Sequence, residues 1–135
     1  MNQSEFLSAH TAWLRADLMR RHLYDTDLNM NPVEYDGSIL TKEPIIYMFL
    51  WHALLFVVVE FMHTKRAIPP IIQSDVDSVY DSLKKLRHAV FHAQNEFISP
   101  KLVLLGNIPN YIQVINKIHS ELGSFLCDGG NRPKY

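Results

Sequence analysis

Two histidines and an arginine stand together in Arg87-His88-Ala89-Val90-Phe91-His92, the densest concentration of reactive side-chain types in the chain. A histidine titrates near neutrality and can carry a proton to or from a reacting atom. An arginine stays charged and offers a fork of donors to an anion. His88 and His92 are four residues apart, the spacing that sets two side chains on one helix face, and two such imidazoles can also ligate a metal. Arg87 follows Leu83 by four residues and Tyr80 by seven, which puts it on or beside the apolar face of its own helix. A guanidinium there needs an anionic or polar receiver. Glu60, set in the apolar run VVVEFM, is one candidate, pairing with Arg87 or orienting the histidines; otherwise it lies exposed at a helix end near Lys65 and Arg66.

These residues belong to the stretch Ser74 to Phe97, whose Val76, Val79, Tyr80, Leu83, Leu86 and Val90 recur at three- and four-residue steps. That period predicts an amphipathic helix, with Ser74 as its cap and Asp77 three residues on. Asp75, Asp77 and Asp81 precede Lys84, Lys85 and Arg87, the order a helix dipole favours.

The rest of the chain also reads as helices. Ser4 to about Asp27 has apolar residues at broadly helical spacing, and Asn29 to Pro44 reads as a long loop from its Asn-Pro and Asp-Gly pairs. Ile45 to Met62 is the most apolar segment, capped by Thr41 with Pro44 in the first turn. Its length approaches that of a membrane span, but His52 and Glu60 interrupt it, and a central helix covered by several neighbours or by a second subunit is the expectation. His52 is expected to bond a carbonyl in the core. His63 to Gln73 is a connector broken by Pro69-Pro70, Ser99-Pro100 marks a new start, and about Pro109 to Leu126 forms the last helix. The fold class is therefore all-α, an antiparallel bundle of four to five helices. At 135 residues this is one domain, with a core over about 4–126 and a frayed tail over 127–135.

With 47% apolar and 20% charged residues the chain is globular, and a formal charge of −1 excludes a global basic field, so nucleic-acid binding would need a local patch. The single cysteine, Cys127, forms no internal disulfide. No basic stretch followed by an apolar run opens the chain, so a cytoplasmic protein without a signal peptide is expected.

The hexapeptide Arg87–His92 resembles the signature of the HEPN superfamily (higher eukaryotes and prokaryotes nucleotide-binding): an arginine, four to six residues, then a histidine, late in the third main helix of a small all-α domain that usually dimerises. The layout over roughly 4–126 is similar. The resemblance implies a metal-independent endoribonuclease of the toxin or defence type. In it a ribose 2′-hydroxyl attacks the adjacent phosphorus and leaves a 2′,3′-cyclic phosphate and a 5′-hydroxyl. It gives His92 the acid–base role, Arg87 the phosphate role and His88 an assisting one, with Glu60, Lys84, Lys85, Gln94 and Asn95 in support and neither cofactor nor metal. RNA, a second copy of the chain and an antitoxin or immunity protein are the partners it implies, with no membrane. The toxins silenced by a nucleotidyltransferase have a tyrosine two residues after the motif histidine, where this chain has Gln94, so that regulation is not expected here.

Five residues on a regular helix turn through about 140°, so Arg87 and His92 would not share a face. Either the helix distorts, or two copies of the motif meet in one cleft. Two other readings stand beside the nuclease. One is a non-catalytic helical module, for RNA binding or protein interaction, with Arg87 in a structural ion pair. The other is a metal site in which His52, Glu60, His63 or His10 completes the His88–His92 pair. His10, His22, His63 and His119 are otherwise expected to be surface or hydrogen-bonded residues.

Overall fold

The computed structural model describes residues 1–25, 43–92 and 104–128. Helix α1 (Gln3–Asp25) is followed by α2 (Glu43–Thr64), a 3-10 turn at Pro70–Ile72, α3 (Gln73–Phe91), a second 3-10 turn at Leu104–Asn107, and α4 (Tyr111–Cys127). No strand occurs among the described residues, and the all-α bundle has four main helices. Glu43 and Pro44, expected as the end of the Asn29–Pro44 loop, form the first turn of α2; the rest of that loop with its Thr41 cap, the Ser99-Pro100 start and most of the 127–135 tail lie outside the described residues.

Local chemistry sets the helix ends, not always as the sequence suggests. Asn2 and Glu5 form a reciprocal capping box at the start of α1: Glu5 N–H donates to Asn2 Oδ1 at 2.8 Å and Asn2 N–H to Glu5 Oε2 at 3.0 Å. At α3 the expected Ser74 cap is not used. The helix begins at Gln73 with Ile72 in the capping position and no side-chain cap bond. The preceding 3-10 turn supplies acceptors for the first N–H groups, Ile72 bonding to Pro69 and Gln73 to Pro70, which leaves Ser74 within the helix. Helix α2 ends two residues beyond Met62, at Thr64. There Arg66 N–H donates to His63 O and Ala67 N–H to Met62 O, with Arg66 at φ 54°, a Schellman closure with arginine where glycine is usual.

Helix α2 is the centre of the bundle, flanked by α1 on one side and α3 on the other. It is antiparallel to α1, because Glu5 meets Lys65 at 2.9 Å at one end and His22 stacks on Tyr47 at the other. Helix α3 packs on its other flank through Phe56–Tyr80 and Glu60–Arg87. Helix α4 runs antiparallel to α1, with Phe6 against Phe125 and Arg20 bonded to Asn116. Trp51, Leu55, Phe56, Val58, Val59 and Met62 of α2 are fully buried with Val76, Val79 and Leu83 of α3 and Ile115, Ile118 and Leu122 of α4. Burying such a side chain contributes about 1.5–3 kcal/mol, so this shared core holds the frame.

Two polar devices fix how the helices meet. Buried His119 of α4 accepts a hydrogen bond at Nδ1 from Trp51 Nε1 (3.0 Å), and its Nε2 lies 2.9 Å from Asp17 Oδ1. An indole N–H can only donate, so His119 is neutral with its proton on Nε2; burial lowers its pKa against the pull of Asp17. Trp13 Nε1 donates to the His119 carbonyl at 3.0 Å, and the Trp13 ring lies directly on Gly123. A Cβ at 123 would stand 2.7 Å from Trp13 Cε2, so this approach of α1 and α4 requires glycine.

Candidate functional site

The 3.6-residue period of α3 divides its side chains. Val76, Val79, Leu83, Leu86 and Ala89 point into the core, while Asp81, Lys84, Lys85 and His88 come round at three- and four-residue steps to the outer face. Arg87 lies on the boundary between them. Asp81, Lys84, Lys85, Arg87 and His88 line an open depression of about 560 Å³. Three fixed cations against the Asp81 carboxylate, with Glu60 paired to Arg87 at the rim, leave a local excess of positive charge on a chain of charge −1, suited to an anion.

Arg87 Nη1 donates to Glu60 Oε1 at 2.9 Å, and the guanidinium carbon sits 5.0 Å from the centre of the Phe56 ring. The ring and the carboxylate together hold the guanidinium at the rim of the depression. Phe56 precedes Glu60 by one helical turn, so α2 presents both to α3. Glu60 therefore meets Arg87 and not Lys65, which pairs with Glu5 instead. Tyr80 lies behind, its ring 5.1 Å from Phe56 and 4.8 Å from His63. Burial first, and the Glu60 charge second, push its phenol pKa up.

His88 and His92 come together, their ring centres 4.6 Å apart at 35°. They do so although His92 is no longer helical. Helix α3 stops at Phe91, six residues short of the expected Phe97, and His92 caps it in extended backbone (φ −128°, ψ 134°) with its N–H on the His88 carbonyl at 3.1 Å. The 140° separation expected between Arg87 and His92 on an unbroken helix thus does not apply, because His92 is no longer helical. The structure brings His92 to His88, and Arg87 to Glu60. Gln94 and Asn95 lie outside the described residues.

The sequence alone assigns no site role to Phe56, Tyr80, Asp81 or Phe91. Phe91 follows Arg87 by one turn and is 49% exposed, an aromatic face open to solvent beside the patch. Its signal in the sequence is a large aromatic between two histidines. Tyr80 is expected only on the apolar face of its helix.

The residues named for a metal site are dispersed. His52 is buried, with Nδ1 2.7 Å from Met48 O, as a core histidine bonded to a carbonyl should be. His63 lies against Tyr80, and His10 Nε2 is 3.8 Å from Cys127 Sγ. Among the described residues no three His, Cys, Asp or Glu side chains converge to hold a metal ion.

Comparison with protein-family models, curated proteins and solved structures yields no match to this chain.

Proposed function

We propose that the outer face of α3 binds the phosphodiester backbone of RNA and cleaves it without a metal. The observation that carries this reading is the basic depression around Arg87, bordered by the paired rings of His88 and His92 and by exposed Phe91. Lys84 and Lys85 attract the backbone, Arg87 receives the nonbridging oxygens, and Phe91 offers a stacking surface for a base. One histidine takes the proton of the 2′-hydroxyl as its oxygen bonds to phosphorus, and another delivers a proton to the departing 5′-oxygen. The products are a 2′,3′-cyclic phosphate and a 5′-hydroxyl. Arg87 stabilises the additional negative charge of the pentacoordinate phosphorus. Glu60 and Phe56 position Arg87 and touch no reacting atom. The reading keeps the HEPN-like assignment, a cytoplasmic setting, a second copy of the chain and an antitoxin or immunity protein as partners, and no cofactor.

Cleavage of single-stranded RNA in excess EDTA tests it. Wild type should give cyclic-phosphate ends, with His92→Ala reduced about 10²–10⁴-fold and Arg87→Ala about 10²–10³-fold. Intact RNA after incubation with folded wild type, across varied sequences, would remove catalysis.

A second reading has a specific observation behind it: the Glu60–Arg87 pair is formed, so the helix could be a non-catalytic interaction module with a structural arginine. The side chains are 29% and 36% exposed, and a pair this accessible contributes only about 0–1 kcal/mol. Arg87→Ala that unfolds the protein by several kcal/mol would favour the structural role. A folded Arg87→Ala protein that no longer binds RNA favours the anion site.

A further inference from the structure

Among the described residues, the side of α2 that faces away from α1, α3 and α4 is apolar from Ile46 to Phe61, between Glu43 and Thr64 at the helix ends. Ile46, Leu50, Leu54, Val57 and Phe61 succeed one another at four-, four-, three- and four-residue steps, none of them buried and none charged. Ile46 is 43% and Val57 37% exposed. Beside them α1 turns Leu7, Leu14 and Leu18 outward, at 54%, 46% and 43% exposure. Helical phase puts this row opposite buried Ala9, Ala16 and Leu23, on the same outer side of the α1–α2 hairpin.

We propose that this face is the interface for a second copy of the chain. The stripe on α2 is close to symmetric about Leu54, with arms of eight residues to Ile46 and seven to Phe61. A two-fold axis at Leu54, lying in the interface and perpendicular to the helices, sets α2 antiparallel on its copy. It places Leu54 on Leu54, Leu50 on Val57 and Ile46 on Phe61. The register of α1 against α2, fixed by Glu5–Lys65 and His22–Tyr47, puts Leu14 and Leu18 on either side of that same level. One axis therefore also sets Leu14 against Leu18 of the other copy. Such double self-matching is the property an isologous interface requires. An unrelated partner or a lipid surface would not require it.

The size agrees. Two helices of about 33 Å lying side by side present roughly 650 Å², of the order of the ~800 Å² per partner in a stable complex. The axis also has a consequence for the site. Helix α3 lies on one flank of α2, so both Glu60–Arg87 pairs come to the same edge of the assembly, within roughly three helical turns of each other. The interface itself does not depend on the RNA reading.

Sedimentation equilibrium tests the proposal. Wild type should show twice the 15.7 kDa chain mass, and Leu54→Glu, which sets two carboxylates together at the axis, should show the single mass with unchanged helical circular dichroism. Leu50→Glu and Val57→Lys should each dissociate the pair. Combined in one chain, they place opposite charges across the interface twice and should restore the doubled mass. A monomeric wild type, or a dimer indifferent to Leu54→Glu, overturns the proposal. The same follows if the double variant stays monomeric. Helix α2 is also the one described helix long and apolar enough to cross a membrane. Flotation of monomeric wild type with vesicles of three parts phosphatidylcholine to one part phosphatidylglycerol would give the face to lipid instead.

Discussion

His52 shows how one residue's surroundings become a property of the whole protein. It is enclosed by α2 with its ring against Trp51 and near Tyr111, and burial lowers its pKa from 6.5 to about 4 despite the bond to Met48 O. Among the described residues its Nε2 has no hydrogen-bond partner, so a proton there gains nothing to offset desolvation. The unfolded chain binds that proton near 6.5 and the folded chain does not. Stability is therefore fully present above about pH 6.5 and falls as the pH drops toward 4. The shift corresponds to about 3 kcal/mol. Urea denaturation at pH 7.5 and 4.5 should show the loss, and His52→Phe should reduce the difference by about that amount. An identical pH dependence in the two proteins would remove His52 as the cause. His119, also held neutral, leaves a smaller dependence of the same sign in the variant.

Among the helices, the meeting of α1 with α4 is the least tolerant. Gly123 faces the Trp13 ring with no room for a methyl group, and the indole cannot retreat without breaking its bond to the His119 carbonyl. Gly123→Ala should lower stability by ~3 kcal/mol, by the overpacking of an already filled contact. The ordinary gain in helix propensity from glycine to alanine, about 1 kcal/mol in the opposite direction, is the smaller effect. Thermal unfolding of the variant decides the sign: a raised midpoint would mean that Trp13 repacks freely. Helix α3 is governed differently. Its inner face is bound into the core, while its outer face carries the cations and ends at His92, so substitutions at Lys84, Lys85 and His88 should leave the fold unchanged.

For the assembled molecule, the number of cations that reach one RNA strand depends on the number of copies. Each chain supplies Lys84, Lys85 and Arg87. With counterion release of about 0.7 per phosphate contact on single strands, the logarithm of the binding constant should fall against the logarithm of salt with a slope near −2 for one chain and near −4 for two. Fluorescence anisotropy of an uncleavable 2′-deoxy oligonucleotide measures it. Wild type should give the steeper slope and Leu54→Glu the shallower. Equal slopes would mean that the two patches do not share a strand, even if the chain is dimeric.

The sequence by itself determined the class of fold. Its 3.6-residue periodicity in α3 and α4, and its long apolar run in α2, give the main helices to within a few residues at most ends. The candidate motif was legible too, because arginine and histidine are conspicuous among apolar positions, as was the need of Arg87 for a carboxylate. Choosing Glu60 as that carboxylate required the tertiary structure, because the choice depends on how α3 packs on α2 twenty-seven residues away. The end of α3 at His92 was likewise hidden. The apolar period continues past Phe91, and the structure nevertheless takes His92 into extended backbone. The start of α3 depended on a 3-10 turn satisfying the first N–H groups, which made the Ser74 cap superfluous. Trp13 on Gly123, the tautomer of His119 and the outward rows of α1 and α2 are relations between helices. Local propensity fixes each helix from residues within four or five positions of one another, whereas these relations join residues up to about a hundred positions apart, and only packing brings such residues into contact.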